Sequence, residues 1–294
     1  MSGSVVMIDG AIFGPENAKV SVYDRGFLYG DAVFEVLRTY RGAPFALDEH
    51  LRRLHRSGER VALTMPASDA VFREEVERAI AEGRNKESYV RIMVTRGSGP
   101  LSLDPDTARK PLRVVLVEPV VPPSRDVYAR GIAAVTVHTR RTVDETAAAG
   151  AKVTNYLANL LAIREAKSRG AQEALVVDGL GNVVEGASSN VFIVKAGRVR
   201  TPPESAGILP GITRAHVLDA ASRLGIAVDE SELKPPDVYA ADEVFITSSI
   251  RELLPVVQVD EYSIGAGVPG PVSRRVHRAF RVTIGLGAEP MPWE

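Results

Sequence analysis

The sequence predicts an α+β protein of two domains. Helical and strand-like segments are mixed along the chain without strict βαβ alternation. At 294 residues there is material for one large core or two ordinary ones. The proline-rich stretch EPVVPPSRD, near residues 118–126, reads as a stiff, exposed connection. These observations set a small N-terminal domain over 1–118, a linker over 119–130 and a larger C-terminal domain over 131–294.

Each element has its own signal. Apolar alternation from Val5 to Ile12, broken by Asp9-Gly10, predicts a hairpin, and DAVFEVLRTYRGAPF predicts a second one turning at Arg41-Gly42. LDEHLRRLHRSGERVAL and SDAVFREEVERAIAEG carry helical periodicity, the latter with Ser68 as its expected cap. SYVRIMVTRG and LRVVLVEPV are rich in β-branched residues and read as strands, with the Gly/Pro/Asp loop GSGPLSLDPD between them. Beyond the linker, GIAAVTVHTRR is an expected strand. The stretch after Thr154 is an amphipathic helix, with Tyr156, Leu157, Leu160, Leu161 and Ile163 apolar and Gly170 as its stop. ALVVDGLGNVVEGASSNVFIVKAGRVRTPP continues as strands separated by glycine turns. ITRAHVLDAASRLGI is a helix, and ADEVFITSSIRELLPV a strand running into Thr247, Ser248 and Ser249.

Composition narrows the function classes. With 45% hydrophobic and 25% charged residues the chain is of ordinary globular type. A formal charge of −1 with interspersed signs leaves no footprint for nucleic acid or an anionic membrane. Cysteine is absent, which excludes disulfides and thiolate metal sites. No secretory signal and no bilayer-length apolar run is present, so a soluble cytoplasmic protein is expected. The five histidines lack metal-ligand spacing, and no metal is expected.

Lys152 stands in the small-residue run AAAGAKVTN, with no carboxylate nearby in sequence. It is either a solvated charge at a loop end or an amine kept reactive by partial desolvation, whose distinctive chemistry is a Schiff base with a carbonyl. Tyr156 comes within a turn and could point its phenol at the same ligand. Glu185, in VVEGASSNVF, is equally an exposed hairpin carboxylate or an acid held against a pyridine nitrogen. Pro210-Gly211 precedes a helix starting at Ile212-Thr213. Free amides there suit a phosphate, although most capped helices bind nothing. The hydroxyls of TSSI, residues 247–250, fit a turn or a phosphate contact. The helix from Asp48 to Leu63 places Leu47, Leu51, Leu54 and Val61 on one face. Arg52, Arg53, Arg56 and Arg60 fall on the rest, and periodicity does not choose among these arginines. Tyr89 and Arg91 share one face of a strand, an arrangement that suits a carboxylate or a plain exposed pair.

Taken together, VYDRGFLYGDAVFEVLR, EHLRRL, AKVTNYL, VVEGASSNVF, LPGITR and DEVFITSSIRELLPV have the order and spacing of the fold-type IV pyridoxal-phosphate enzymes. The chain resembles a class IV aminotransferase, a group with branched-chain and D-amino-acid aminotransferases and aminodeoxychorismate lyase. The resemblance covers nearly the whole chain and is carried by the combination of motifs.

That resemblance implies a small N-terminal α/β domain and a larger C-terminal domain of the D-amino-acid aminotransferase type, with pyridoxal 5'-phosphate between them. It also implies residue roles. Lys152 forms the Schiff base and shuttles the substrate Cα proton, Tyr156 bonds the cofactor's phenolic oxygen, and Glu185 faces the pyridine nitrogen. Arg53, Ile212, Thr213 and Ser249 hold the phosphate, Ser248 is a further cofactor-binding residue, and Asn190 lies near the cofactor. Tyr29, Phe34, Arg38, Tyr89 and Arg91 line the substrate pocket. The expected reaction is ping-pong transfer from branched-chain L-amino acids to 2-oxoglutarate. At least a homodimer is implied, with Tyr29 reaching the neighbouring subunit's site. The loop RGSGPLSLDP resembles the branched-chain group, whereas Val36 replaces its usual glycine, and VVEGASSNVF with FITSS resembles the D-amino-acid enzymes. Those enzymes carry an arginine and a histidine where this chain has Leu101 and Leu103. A D-amino-acid or (R)-amine transaminase is the alternative, and an aminodeoxychorismate lyase a further one.

Overall fold

The computed structural model describes residues 3–138, 146 and 148–294. The chain divides into two compact units, Met1–Val121 with Thr146–Tyr156, and Pro122–Glu145 with Leu157–Glu294. Packing thus carries Thr146–Tyr156 with the first unit, whereas the sequence pattern places it within 131–294. The reason is local: Val153 bridges Val33, and Lys152 O accepts from Phe34 N at 2.9 Å.

The first unit contains β1 (Val5–Ile8), β2 (Ala11–Phe13), α1 (Arg25–Tyr29), β3 (Ala32–Tyr40), β4 (Ala43–Pro44), α2 (Leu47–Arg60), α3 (Asp69–Gly83), β5 (Ser88–Thr95) and β6 (Leu112–Pro119). Its strands form one antiparallel sheet in the order β2-β1-β6-β5-β3-β4. Both expected hairpins are present. Asp9 and Gly10 have φ 47° and 85°, and Arg41 and Gly42 have 53° and 76°, the paired left-handed geometry of tight hairpin turns. Ser68 sits at the N-cap of α3 as expected, but its side chain makes no capping hydrogen bond.

Alternation sorts this sheet into two faces. Val33, Leu37, Val90, Ile92, Val94, Val115 and Val117 are buried with Leu47, Leu51 and Leu54 of α2 and Phe72 and Val76 of α3. Each such side chain contributes roughly 1.5–3 kcal/mol through burial. Glu35 alternates onto this same face. The opposite face carries Phe34, Val36 and Arg38, cross-strand from Met93, Arg91 and Tyr89.

The second unit contains α4 (Arg125–Arg130), β7 (Ile132–His138), α5 (Leu157–Ser168), β8 (Glu173–Val177), β9 (Val183–Gly186), β10 (Asn190–Lys195), β11 (Arg198–Thr201), α6 (Ile212–Arg223), β12 (Val228–Glu230), α7 (Pro235–Tyr239), β13 (Glu243–Ser248), β14 (Glu252–Val259), β15 (Tyr262–Ser263) and α8 (Pro271–Thr283). Its sheet runs β12-β11-β10-β13-β14-β7-β8-β9, with β15 paired to β14. The strand expected over 131–141 reaches His138, and residues 139–141 lie outside the described residues. The expected linker holds a short helix, α4, capped by Ser124 Oγ and anchored by buried Tyr128. α5 begins at Leu157 and buries Ala162 and Ala166, leaving Leu157, Leu160 and Leu161 exposed. Among the described residues no helix is long and apolar enough to cross a membrane.

Candidate active site

In the first unit the site is organised by a polar stripe on α2. His50, Arg53 and Ser57, spaced i, i+3 and i+7, are all buried on the face that packs against the sheet. Glu35 of β3 is fully buried and accepts from Arg53 Nε at 2.7 Å and Nη2 at 2.6 Å, while His50 Nδ1 lies 2.7 Å from its Oε2. Burial pushes the Glu35 carboxyl up, but the charge and hydrogen bonds of Arg53, aided by His50, outweigh it and hold the pKa at about 2. Burial also lowers the His50 pKa, opposed by Glu35 and assisted by the charges of Arg53 and Lys152. A neutral imidazole therefore donates Nδ1–H to Glu35, leaving a buried Nε2 with no partner among the described residues.

The third residue of the stripe positions the candidate nucleophile. Ser57 Oγ accepts from the backbone N–H of Lys152 at 3.0 Å, and Thr154 Oγ1 donates to Gly30 O at 2.8 Å. Asn155 Nδ2 donates to Tyr29 O at 3.2 Å. So held, Lys152 Nζ lies 3.1 Å from Tyr156 Oη and 4.6 Å from the centre of the Phe34 ring. Phe34 meets Tyr156 edge-on at 5.2 Å, and the Arg91 guanidinium stacks 4.0 Å over Phe34. The structure therefore brings Lys152, Tyr156, Phe34 and Arg91 together. Arg38 and Tyr89 share that sheet face as a cross-strand pair, Arg38 stacking over Tyr40 at 4.5 Å. The ring of Tyr29 lies under Arg25 at 5.0 Å.

A separate group forms in the second unit. Glu185, on β9, is buried and accepts from Leu209 N at 3.0 Å. Asn190 donates Nδ2 to Leu209 O at 3.0 Å and stands cross-strand from Thr247. Both side chains thus pin the segment entering α6, whose N-cap, Gly211, offers no side chain. A Cβ on Gly211 would stand 1.9 Å from Asn190 Oδ1, so only glycine permits this approach. Ile212 and Thr213 come next, both buried, with the amides of the first turn at their disposal. Thr247 Oγ1 is buried with no partner among the described residues. Ser248 Oγ accepts from Arg251 Nε at 3.0 Å, and Arg251 continues to buried Glu173 at 2.7 Å. Ser249 is half-buried in the turn that follows β13. An uncapped helix start beside an unpartnered buried hydroxyl fits a phosphate group.

Sequence reasoning missed Glu35, His50 and Ser57. The available signals were a carboxylate at an inward position of a strand and polar residues repeating at helical spacing beside Leu47, Leu51 and Leu54.

A primary amine within hydrogen-bond distance of a phenol, next to an aromatic ring and an arginine, is a set of groups suited to carbonyl and amine chemistry. Family comparison agrees: the model of the class IV amino-transferases matches residues 32–259. The chain belongs to the class IV aminotransferases, with the fold-type IV architecture, and is an enzyme of that family. A Methanocaldococcus jannaschii protein named provisionally as a branched-chain-amino-acid aminotransferase is 37% identical over 94% of this chain and 95% of its own length. The D-alanine aminotransferase of Bacillus licheniformis is 31% identical over 95% of this chain and 96% of its own. The structure of the T.th. branched-chain amino acid aminotransferase complexed with N-(5'-phosphopyridoxyl)-L-glutamate superimposes with a TM-score of 0.90 at 28% identity, covering 100% of this chain and 97% of that one.

Proposed function

We propose that the chain is a pyridoxal-phosphate-dependent transaminase that takes the amino group of a branched-chain L-amino acid and passes it to 2-oxoglutarate. The observation that carries the reading is the Lys152 amine, 3.1 Å from the Tyr156 phenol and lying over Phe34, on the sheet face that presents Arg91. Bound pyridoxal phosphate supplies an aldehyde for the amine and a ring that accepts electrons. Lys152 Nζ would hold that aldehyde at rest and, as a free amine once the substrate's amine has taken its place, would move the proton at the substrate Cα. Tyr156 Oη, already within hydrogen-bond distance of Nζ, steadies it and bonds the ring oxygen. Glu185, fixed by Leu209 N, meets the ring nitrogen and keeps it protonated. The amides of Ile212 and Thr213, the hydroxyls of Ser248 and Ser249, and Arg53 bind the phosphate. Asn190 acts by keeping the α6 entry in place.

Substrate preference is proposed from side-chain chemistry. Phe34, Val36 and Met93 give an apolar wall, and Tyr29, Tyr89, Arg38 and Arg91 supply the polar and cationic groups for a carboxylate. Leu101 and Leu103 offer no donor where a D-specific trap needs an arginine and a histidine. The phosphopyridoxyl-glutamate carried by the T.th. structure supports glutamate and 2-oxoglutarate as the second pair. The similarity to a D-alanine aminotransferase favours one alternative, transamination of D-amino acids. We further propose a homodimer, supported by the exposed leucines Leu157, Leu160 and Leu161 on one face of α5. The deciding experiment is a half-reaction: the cofactor-loaded protein is mixed with L-leucine or with D-alanine and its visible band monitored. Loss with L-leucine alone supports the reading, loss with D-alanine alone replaces it with the alternative, and loss with neither overturns both.

A further inference from the structure

The second unit carries an open pocket of about 830 Å³ between the C-terminal end of α6 and α8 with the Trp293 segment. None of its lining residues belongs to the groups described above. The volume lies within the range of small-molecule sites, roughly 300–1,000 Å³. Four arginines, Arg223, Arg274, Arg275 and Arg278, surround a lining of Leu224 and Trp293. Two of the cations are paired: Arg223 with Asp219 at 2.8 Å and Arg278 with Glu294 at 2.9 Å. The guanidinium groups of Arg274 and Arg275 have no ion pair or hydrogen bond among the described residues. Arg274 lies over the Trp293 ring at 5.6 Å, and its Nε is buried with no partner. A buried guanidinium N–H left without an acceptor is costly, and an incoming anion relieves that cost. The apolar share of the lining asks for a hydrocarbon body on the same ligand.

We propose that this cavity is a second small-molecule site, selective for an oxyanion headgroup, carboxylate or phosphate ester, joined to an apolar body. Arg274 and Arg275 take the headgroup, and Trp293 and Leu224 cover the body. The inference is independent of the transaminase reading. Trp293 is the single tryptophan of the chain, so its emission reports on this cavity without reference to catalysis. The titrants are octanoate, octyl phosphate, octanol and inorganic phosphate, added to the cofactor-loaded protein. Octanoate or octyl phosphate should change the emission saturably, and whichever binds tighter identifies the headgroup. Octanol and inorganic phosphate should bind on the order of tenfold or more weakly, because each lacks half of the interaction. Arg275→Gln, at an exposed position that leaves packing intact, and Arg274→Gln should each weaken the response on the order of tenfold while the circular dichroism spectrum stays that of the wild type. Octanol binding as well as octanoate, unchanged affinity in both variants, or no saturable response to either amphiphile would each overturn the proposal.

Discussion

Replacing Glu35 by glutamine tests whether the buried carboxylate is what holds the α2 stripe together. Glu35 has no solvent exposure, and its Oε2 serves Arg53 and His50 at once while Oε1 takes Arg53 Nε. Its carboxyl is held at about 2, below the 4.5 of a free glutamate, because the charge and hydrogen bonds of Arg53 and His50 outweigh the upward push of burial. Removing one partner of a buried ion pair costs roughly 3–5 kcal/mol. The depressed pKa also fixes the pH dependence. The stabilisation is fully present above the unfolded value of 4.5 and is lost as the pH falls toward about 2. Urea unfolding of the wild type and of Glu35→Gln is the assay. At neutral pH the variant's midpoint should fall by roughly 1–3 M, taking a slope of about 1–3 kcal/mol per molar. The gap between the two curves should close as the pH is lowered through that window. Equal midpoints at neutral pH, or a gap independent of pH, would show that Arg53 and His50 are held by something else.

Other expectations rest on single contacts. Lys152→Ala should abolish transamination and the borohydride-trappable adduct even where cofactor still binds, and retained turnover would remove Lys152 from the mechanism. Thr247→Val removes a buried hydroxyl without a described partner, so the cofactor-free protein should be as stable or firmer by about 1 kcal/mol in urea. The same change should weaken cofactor binding in a direct titration, and unaltered affinity would mean that the hydroxyl faces no phosphate. Gly211→Ala sets a methyl 1.9 Å from Asn190 Oδ1 and must displace that side chain from Leu209 O. A loss of about 1–3 kcal/mol is expected, read by urea midpoint, together with weaker cofactor binding.

Much of the fold was legible because its signals are local. Asp9-Gly10 and Arg41-Gly42 supply left-handed turn residues, and the α2 and α3 periodicities place Leu51, Leu54, Phe72 and Val76 inward. Lys152 and Tyr156 were legible as a pair because four residues bring them within one turn of chain, and the structure joins them at 3.1 Å. The rest depends on partners distant in sequence. Arg53 could not be told from Arg52 or Arg56 by periodicity, since what turns it inward is Glu35 on another element. The leucines of α5 have a helical pattern, yet the face that packs is the alanine side, Ala162 and Ala166. α8 went unread because its buried face includes Ser273 and His277, so its apolar stripe is interrupted.

On the proposed reading, the handedness of the substrate is a question about one loop as much as about Arg91. Relatives named for branched-chain and for D-alanine substrates resemble the chain to similar degrees, so overall identity does not choose between them. The loop around Leu101 and Leu103 is shaped through its backbone: Arg25 Nη1 donates to Ser102 O at 2.6 Å and Nη2 to Leu103 O at 3.3 Å. Arg25 is itself locked to Asp31 at 2.8 Å. The two leucine side chains, 72% and 80% exposed, take no part in holding that course. Leu101→Arg with Leu103→His therefore changes the chemistry of the loop and leaves its path alone, at a stability cost within about 0.5 kcal/mol for exposed positions. On the proposed preference for L-substrates, with the loop's lack of donors as its cause, the double variant should raise the D-alanine rate relative to L-leucine by on the order of tenfold, the worth of one charge-assisted hydrogen bond. An unchanged ratio in a folded, cofactor-loaded variant would place stereochemical choice on the β3 and β5 face, with Arg38, Tyr89 and Arg91, and not on the loop.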